Sequence, residues 1–558
     1  VGSFRVWIAG AVLLTGTVCA AGPVGQRLLG PLLSEQQRRV YTANERRREE
    51  KGIPYTALGQ QPSLGAEANA SICFPIRRIE TDPYRLLDRR EVEGILGEYR
   101  GRCDTLADLL EMVRRINNLY IRQSYITSLA YLRPQDLSDG VLRLSIIEGS
   151  IGRVLGVGVN PSLVFLGMSG EPLSLRDLET RLDLLNRMGS LRTTMKMLPG
   201  AETGQTDLLL RGERIGSRWH GSLGMNNFGY RPTGRVQLSG TLGIDNLLGI
   251  NDVLDLHLNT TDRSRNSLSR GLSYRFPLGK NLLSLSYTYY RYRQRVPATL
   301  QEYLSEGTSR DLELRVEREL FHTLTQKGLL SAGIARRINT NSLAGVRLES
   351  SDSRLTVARL GYTHSFTGER SEGFAALELQ QGLRLFGTRA PLGTEATFSK
   401  LLLDLGWTRR FARRSDGFYL AWNLSAHAQW AVPDLPGSEM ISVGGPYSVR
   451  GFRESGQLSG NTGGYLRSEL SVRQPWGPGY LAPYLALDLG HVRHNRRSVG
   501  GTIAGAAAGL RFGAKNWHFD LYAAYPLHDS NRITRYPNGD VTIRPRKGSF
   551  GFNFSYRF

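Results

Sequence analysis

The chain has 558 residues, 40% of them apolar, with a net charge of +21 and only 3 cysteines, long enough for several domains or for one large barrel with attachments. Beyond the first twenty residues no run of 18 apolar residues occurs, which excludes a transmembrane helix in the mature chain. The basic excess has two readings, a polyanion partner or a lumen and surface facing anionic lipid headgroups; arginines scattered through alternating segments, not gathered in one arm or helix, speak against nucleic acid.

Residues 1–20 read as a secretory signal: Arg5 supplies the positive start, Val6 to Val18 the short apolar stretch, and Val18-Cys19-Ala20 the small-residue cleavage site. Cys19 leaves with the signal, so an exported mature chain keeps Cys73 and Cys103, and an even pair in that compartment reads as one disulfide. Bridging these two positions, 30 residues apart, is worth about 3–4 kcal/mol.

Within residues 21–52, Leu28 to Gly52 is helical in character, with Ser34 as N-cap, yet Arg38, Arg39, Arg46 to Arg48, Glu49 and Glu50 leave little apolar face. Such a helix is either a solvated terminus or one that lies in a water-filled polar cavity. Residues 53–70, with Pro54, Gly59, Pro62 and Gly65, form a linker.

Residues 71–149 and 150–212 read as two small α+β modules in tandem. The first has a strand over Cys73 to Ile79, helices over Leu87 to Tyr99 and Leu106 to Arg122, and strands around Tyr131 and Val141 to Ile146. In its second helix, Leu106, Leu109, Leu110, Val113, Ile116 and Tyr120 share a face. The second module has a strand over Val154 to Val159, a helix over Ser174 to Arg187, and strands over Thr193 to Met197 and Thr206 to Arg211.

From residue 213 to 558 the period becomes two. Leu283, Leu285, Tyr287 and Tyr289 alternate with Ser284, Ser286 and Thr288, and Phe550, Phe552, Phe554, Tyr556 and Phe558 alternate with Gly551, Asn553, Ser555 and Arg557. About sixteen such segments, with charges on one face and aromatics near their ends, carry the pattern of a transmembrane β-barrel. A sheet in hydrocarbon has to close, because an open edge leaves backbone groups unpaired. One stretch breaks the pattern: Gly444-Gly445-Pro446-Tyr447-Ser448-Val449-Arg450-Gly451-Phe452 is too rich in Gly and Pro for a strand and carries a single cation.

Several local sequences resemble one family. Cys73-Phe74-Pro75-Ile76, Asn117-Asn118-Leu119-Tyr120-Ile121, Tyr125-Ile126-Thr127-Ser128, Gln135-Asp136-Leu137-Ser138-Asp139-Gly140 and Ile147-Glu148-Gly149 are similar to the first periplasmic (POTRA) domain of the two-partner secretion transporters, the TpsB family. Leu182 to Arg187 with Leu198-Pro199-Gly200 resembles its second POTRA domain, Asp245-Asn246 with Gly249 and Asn251-Asp252 its early barrel hairpin, and Val449-Arg450-Gly451-Phe452 the loop motif shared with BamA-type insertases. Ser124 departs from the pattern, standing where the family usually has Gly.

The resemblance implies a mostly β protein: a 16-stranded antiparallel outer-membrane barrel (213–558), two POTRA domains (71–149 and 150–212) in the periplasm, and an N-terminal plug helix (21–52). It implies export of one large unfolded partner, a TpsA haemolysin, adhesin or contact-dependent inhibition toxin, recognised through the POTRA domains and moved without nucleotide hydrolysis. The alternative is a BamA-like insertase that assembles other barrels. It also puts the loop at 444–460 inside the barrel, where Arg450 needs an anionic partner. Alternation turns Tyr484, Ala486 and Asp488 inward, and Asp488 matches the family's acidic position; Glu469, inward by alternation with Leu466, Leu470 and Val472, is the rival. Phe554, Tyr556 and Phe558 resemble the terminal aromatic signal read by the barrel-assembly machinery. Neither a phosphate-binding loop, a Gly-x-Ser-x-Gly nor a metal-spaced His/Cys cluster occurs, so no enzyme, cofactor or metal is expected. The expected partners are the unfolded exoprotein, the assembly machinery and outer-membrane lipid, and not nucleic acid, with the transporter itself a monomer.

Overall fold

A computed structural model of the chain describes residues 73–263, 266–297, 301–349, 351–412, 414–453, 457–493, 500–531, 533–535, 541–543 and 547–558, together with Arg38, Arg39 and Thr42. The expected signal segment, the linker and, apart from those three residues, the plug helix lie outside the described residues.

The first module contains β1 (Cys73–Ile76), β2 (Arg78–Thr81), α1 (Arg89–Gly97), β3 (Arg102–Thr105), α2 (Leu106–Arg122), β4 (Leu129–Leu132) and β5 (Val141–Ile147). The single strand expected over Cys73 to Ile79 is broken at Arg77. The Arg77 and Arg78 N–H groups both donate to the Gly140 carbonyl (2.8 and 3.1 Å), and the chain changes sheet there. β1 pairs with β3, while β2 joins a three-stranded sheet of order β2-β5-β4. Cys73 and Cys103, on β1 and β3, are disulfide-bonded with Cα atoms 5.2 Å apart.

α2 starts at a capping box in which Thr105 Oγ1 accepts the Asp108 N–H and Asp108 Oδ2 accepts the Thr105 N–H. Its buried stripe runs Leu109, Met112, Val113, Ile116, Leu119 and Tyr120, and Leu106 is 52% exposed. Leu109, Val113, Ile116 and Tyr120 of the expected face are buried; Leu106, the first residue of the helix, overhangs the end of the core, and the buried stripe takes in Met112 and Leu119 as well. Glu148, in the Ile147-Glu148-Gly149 motif, accepts the Arg85 and Leu86 N–H groups and the Tyr120 hydroxyl, tying the end of the sheet to α2.

The second module contains β6 (Ser150–Val157), α3 (Leu175–Leu185), β7 (Leu191–Pro199) and β8 (Gln205–Arg214), with sheet order β6-β8-β7. Both modules therefore place a parallel pair beside one antiparallel edge strand. In both, an asparagine clamps that edge strand: Asn117 on α2 bonds the N–H and C=O of Ala130, and Asn186, the C-cap of α3, those of Thr193. Ser124 is buried at φ 72°, where a side chain costs about 1–2 kcal/mol, and its carbonyl accepts the Leu175 N–H (2.9 Å) to join the two modules.

Sixteen long strands close the barrel. In order they are β9 (Trp219–Asn226), β10 (Gln237–Asp245), β11 (Val253–Thr261), β12 (Ser267–Leu278), β13 (Asn281–Pro297), β14 (Glu302–His322) and β15 (Gln326–Leu343). After a two-residue extension, β16 (Val346–Arg347), come β17 (Ser353–Thr367), β18 (Ser371–Leu383), β19 (Ser399–Phe411) and β20 (Tyr419–Val432). Two short strands, β21 (Ile441–Val443) and β22 (Leu458–Gly460), form a separate hairpin. The wall resumes with β23 (Gly463–Trp476), β24 (Gly479–Val492), β25 (Gly501–Ala514) and β26 (Trp517–Asp529). A last short hairpin, β27 (Ile533–Arg535) with β28 (Val541–Ile543), precedes β29 (Ser549–Arg557), which pairs with β9 to shut the cylinder. Alternation sorts the two faces: on β24, Leu485 and Leu487 are 65% and 62% exposed, whereas Tyr484 and Asp488 are 4% and 3% exposed.

The second module sits on the turns at one end of this cylinder. The Ser190 N–H donates to Asp245 Oδ2 (3.0 Å), the Gly279 N–H to the Leu163 carbonyl (2.9 Å), and the Thr180 hydroxyl to Glu319 Oε1 (3.2 Å). These contacts identify the end of the barrel that carries the modules, and the hairpin joining β13 to β14 belongs to the opposite end.

Candidate functional site

Between β20 and β23 the chain leaves the wall and folds into the lumen. A 3-10 turn at Gly437–Glu439 leads to the β21–β22 hairpin, whose tip carries the Gly-rich stretch. Ile441, Val443, Val449, Phe452 and Leu458 pack with the inward-facing Val492 and Ile503 into an apolar cluster. This burial holds the loop against β24 and β25, and the backbone at the tip takes up the resulting constraint. Gly451 adopts φ 94°, and a Cβ there would lie 2.7 Å from the Tyr525 carbonyl carbon. A Cβ at Gly505, on β25, would collide with the Arg450 carbonyl, so the wall too is cut away for the loop.

Arg450 is 2% exposed. Its Nε–H and Nη2–H donate to Asp488 Oδ2 and Oδ1 (2.7 and 2.8 Å), its backbone N–H donates to Asp488 Oδ2 (3.0 Å), and its Nη1–H donates to Glu469 Oε2 (3.2 Å). The structure thus brings the arginine together with both acids that the sequence offers as candidates. Asp488 takes the two-pronged contact that fits a planar guanidinium, and Glu469 takes the remaining prong.

Sequence reasoning missed the rest of the network. Arg511 binds Glu469 through both terminal nitrogens and reaches Asp520 through Nε (3.3 Å), and Asp520 accepts the Tyr484 hydroxyl (2.9 Å). The Tyr484 ring lies under the Arg511 guanidinium, 4.3 Å from centroid to Cζ. Glu469, Asp488, Arg511 and Asp520 come from the four consecutive strands β23 to β26. The signal for Arg511 was present in the sequence: it is the one charged residue of β25, a strand built mainly of Ala, Gly and apolar residues.

A second anchor was also missed. Glu439, fully buried in the turn before β21, pairs with Arg337 on β15 and with Lys400 Nζ on β19 (2.7 Å). Arg337 Nε also contacts Asp311 Oδ2 on β14 (3.2 Å), and the same carboxylate oxygen lies 3.5 Å from Arg39 Nη1. Tyr447 donates its hydroxyl to Gln237 on β10 (2.9 Å), and Arg453 donates to the Phe550 carbonyl on β29 (2.5 Å). The loop therefore spans the lumen, tied by charge to two well-separated parts of the wall and by hydrogen bonds to the strands flanking the closing seam.

The remaining residues singled out in the sequence lie elsewhere. Phe554, Tyr556 and Phe558 line the outer face at the seam, with Tyr556 4.4 Å from Trp517 between ring centroids. Phe558 exchanges backbone hydrogen bonds with Gly221 (both 3.0 Å). The disulfide stands in the first module, away from the lumen. Among the described residues, Asp183, Glu319 and His322 bring potential metal-ligand atoms within 4.8 Å of one another. Lys327 Nζ lies 2.7 Å from Glu319 and already supplies a cation there.

Residues 204–512 match the family described as haemolysin secretion/activation protein ShlB/FhaC/HecB, and residues 74–149 match the ShlB-type POTRA domain. The chain is 30% identical over 526 residues to "Outer membrane transporter CdiB" of Escherichia coli O6:K15:H31 (strain 536 / UPEC), covering 89% of this chain and 86% of that protein. It is 29% identical over 540 residues to "Hemolysin transporter protein ShlB" of Serratia marcescens, covering 94% and 93%. Among solved structures, "CdiB from Escherichia coli" superposes with a TM-score of 0.79 at 27% identity, covering 96% of this chain and 99% of that one.

Proposed function

Because the chain belongs to the ShlB/FhaC/HecB haemolysin secretion/activation family, the TpsB transporters of the outer membrane, we propose that it is the export pore for one large unfolded TpsA exoprotein. The cargo is a haemolysin, an adhesin or a contact-dependent inhibition toxin. The observation that carries the reading is the loop pinned across the lumen by Arg450 and Glu439: the resting pore is occupied, and passage of cargo requires the loop to yield.

Recognition falls to the POTRA modules. Each offers a sheet edge to which an extended chain can add as a strand, main-chain hydrogen bonds giving affinity and alternate side-chain pockets giving selectivity. β7 is the longest such edge, and beyond the Asn186 clamp at Thr193 it continues to Pro199. Residues 21–52 act as a plug, a reading supported by Arg39, which approaches Asp311 on the inner wall. Translocation draws on binding differences and on folding of the cargo outside, without nucleotide. The assembly machinery reads the C-terminal aromatics, and the transporter works as a monomer with its modules in the periplasm. Membership of this family favours secretion over a BamA-like insertase role.

Deleting the gene and measuring surface delivery of the exoprotein tests the reading. Loss of surface exoprotein with other outer-membrane barrels at normal levels supports it, and a general loss of barrels would support the insertase instead.

A further inference from the structure

The outer wall at β12 to β14 changes character at one level. Cross-strand register sets Tyr274, Leu285 and Leu314 in one row and Leu272, Tyr287 and Leu312 in the next. These rows face outward: Leu285, Tyr287, Leu312 and Leu314 are 41–47% exposed, whereas Tyr290 and Tyr292 on the opposite face of β13 are buried. The next row toward the end away from the modules reads Arg270, Tyr289, Arg310, and Arg291 lies above Tyr289 on the same face. Strand spacing puts the Cα atoms of Arg270 and Arg310 roughly 10 Å apart, with Arg291 about 7 Å beyond Tyr289. All three arginines are exposed.

Farther along β13, Arg293 is paired with Glu306 (2.5 Å) and Arg295 with Glu302 (3.6 Å). Among the described residues, no carboxylate pairs with Arg270, Arg291 or Arg310. Three cations thus frame a tyrosine where apolar rows give way to charge. With the modules in the periplasm, that level is the headgroup layer of the outer leaflet. A guanidinium matches a phosphate in geometry and charge, and interfacial tyrosine sits at this depth.

We infer that Arg270, Arg291 and Arg310, around Tyr289, bind the headgroup of a phosphorylated glycolipid of the outer leaflet. Two phosphate monoesters match three neighbouring cations better than the single negative charge of a phospholipid diester. The site explains part of the basic excess of the chain, and it is independent of cargo and of the lumen.

The test uses the full-length protein in neutral detergent micelles doped with diphosphorylated lipid A, dephosphorylated lipid A or phosphatidylglycerol, with retained lipid read by native mass spectrometry. Wild type retains diphosphorylated lipid A. The R270Q/R291Q/R310Q variant, shown to be folded by heat-modifiability on a gel, binds it about a hundredfold more weakly. Arg293→Gln, which removes a paired arginine, leaves retention unchanged. If the triple variant does not fold, Arg291→Gln alone carries the test with a smaller loss. Retention of lipid A by the folded variant at the wild-type level, equal retention of the dephosphorylated lipid, or preference for phosphatidylglycerol would overturn the inference.

Discussion

Asp488 Oδ2 accepts both the backbone N–H and the Nε–H of Arg450, so one carboxylate oxygen fixes the backbone and the side chain of the same loop residue. The contact sets the tip's position as well as neutralising a charge. Because Asp488 stands within β24, hydrogen-bonded to a neighbouring strand on each side, the loop is referenced to the barrel wall.

Arg450→Ala leaves Asp488 and Glu469 buried beside one fewer cation, a change that costs about 3–5 kcal/mol when one partner of a buried pair is removed. Arg511 still holds Glu469, so the larger part of the loss falls on Asp488 and the loop. The expected outcome is secretion lost with barrel assembly largely intact, measured as surface exoprotein against heat-modifiability. Secretion at the wild-type level would remove Arg450 from the mechanism.

Glu439→Gln releases the other limb of the loop. Arg337 keeps Asp311, but Lys400 loses its carboxylate inside the barrel, again about 3–5 kcal/mol against the anchored state. The pore is expected to open more often while Arg450 still holds the tip. Planar-bilayer recordings check this: more frequent openings than wild type are predicted, and unchanged opening statistics would rule out Glu439 as an anchor.

Deleting Phe558 removes two backbone hydrogen bonds to Gly221 and the last aromatic of the outer face at the seam. That seam is short, with five residue pairs joining Asn553–Arg557 to Ser222–Asn226. A lower fraction of folded barrel is expected on a heat-modifiability gel, and a normal fraction would argue against both the signal role and the seam role.

Asp104 gives a pH dependence in the first module. It is fully buried beside Cys103, and among the described residues neither carboxylate oxygen has a hydrogen-bond partner. Burial raises its pKa above the usual aspartate value, and Arg102, 3.4 Å away, offsets only part of the effect. The folded state therefore binds this proton more tightly than the unfolded state. Stability is greatest below the ordinary aspartate pKa and falls as pH rises through the folded value. Asp104→Asn should raise the thermal stability of the module at neutral pH and flatten its acid-side dependence, followed by thermal unfolding across pH. A wild-type pH profile in the variant would assign the dependence to another group.

The barrel was legible because lipid imposes a period of two on every strand, and the inward side of Glu469 and Asp488 follows from counting along β23 and β24. The break at Arg77 was not legible, since it depends on Gly140, far along the chain, accepting two N–H groups at once. The face of α2 was legible from Leu109, Val113, Ile116 and Tyr120, but the exposure of Leu106 was not, because periodicity gives a face but not where the core stops. Glu439 was missed because it lies in an irregular segment with no period to reveal its direction, and its partners Arg337 and Lys400 come from strands that only barrel closure brings opposite it.

By itself, then, the sequence determined the class of this protein: a spanning sheet that has to close, small modules before it, and a loop too rich in glycine to join the wall. Local periodicity and backbone chemistry suffice for that, because each strand's two faces are written within ten residues. Which charges meet was decided only by tertiary structure. Closing the cylinder brings β15 and β19 together around Glu439 and stacks β23 to β26 behind Arg450. Charges buried in a confined lumen are stable only when paired, so the closed geometry selected partners that spacing along the chain could not.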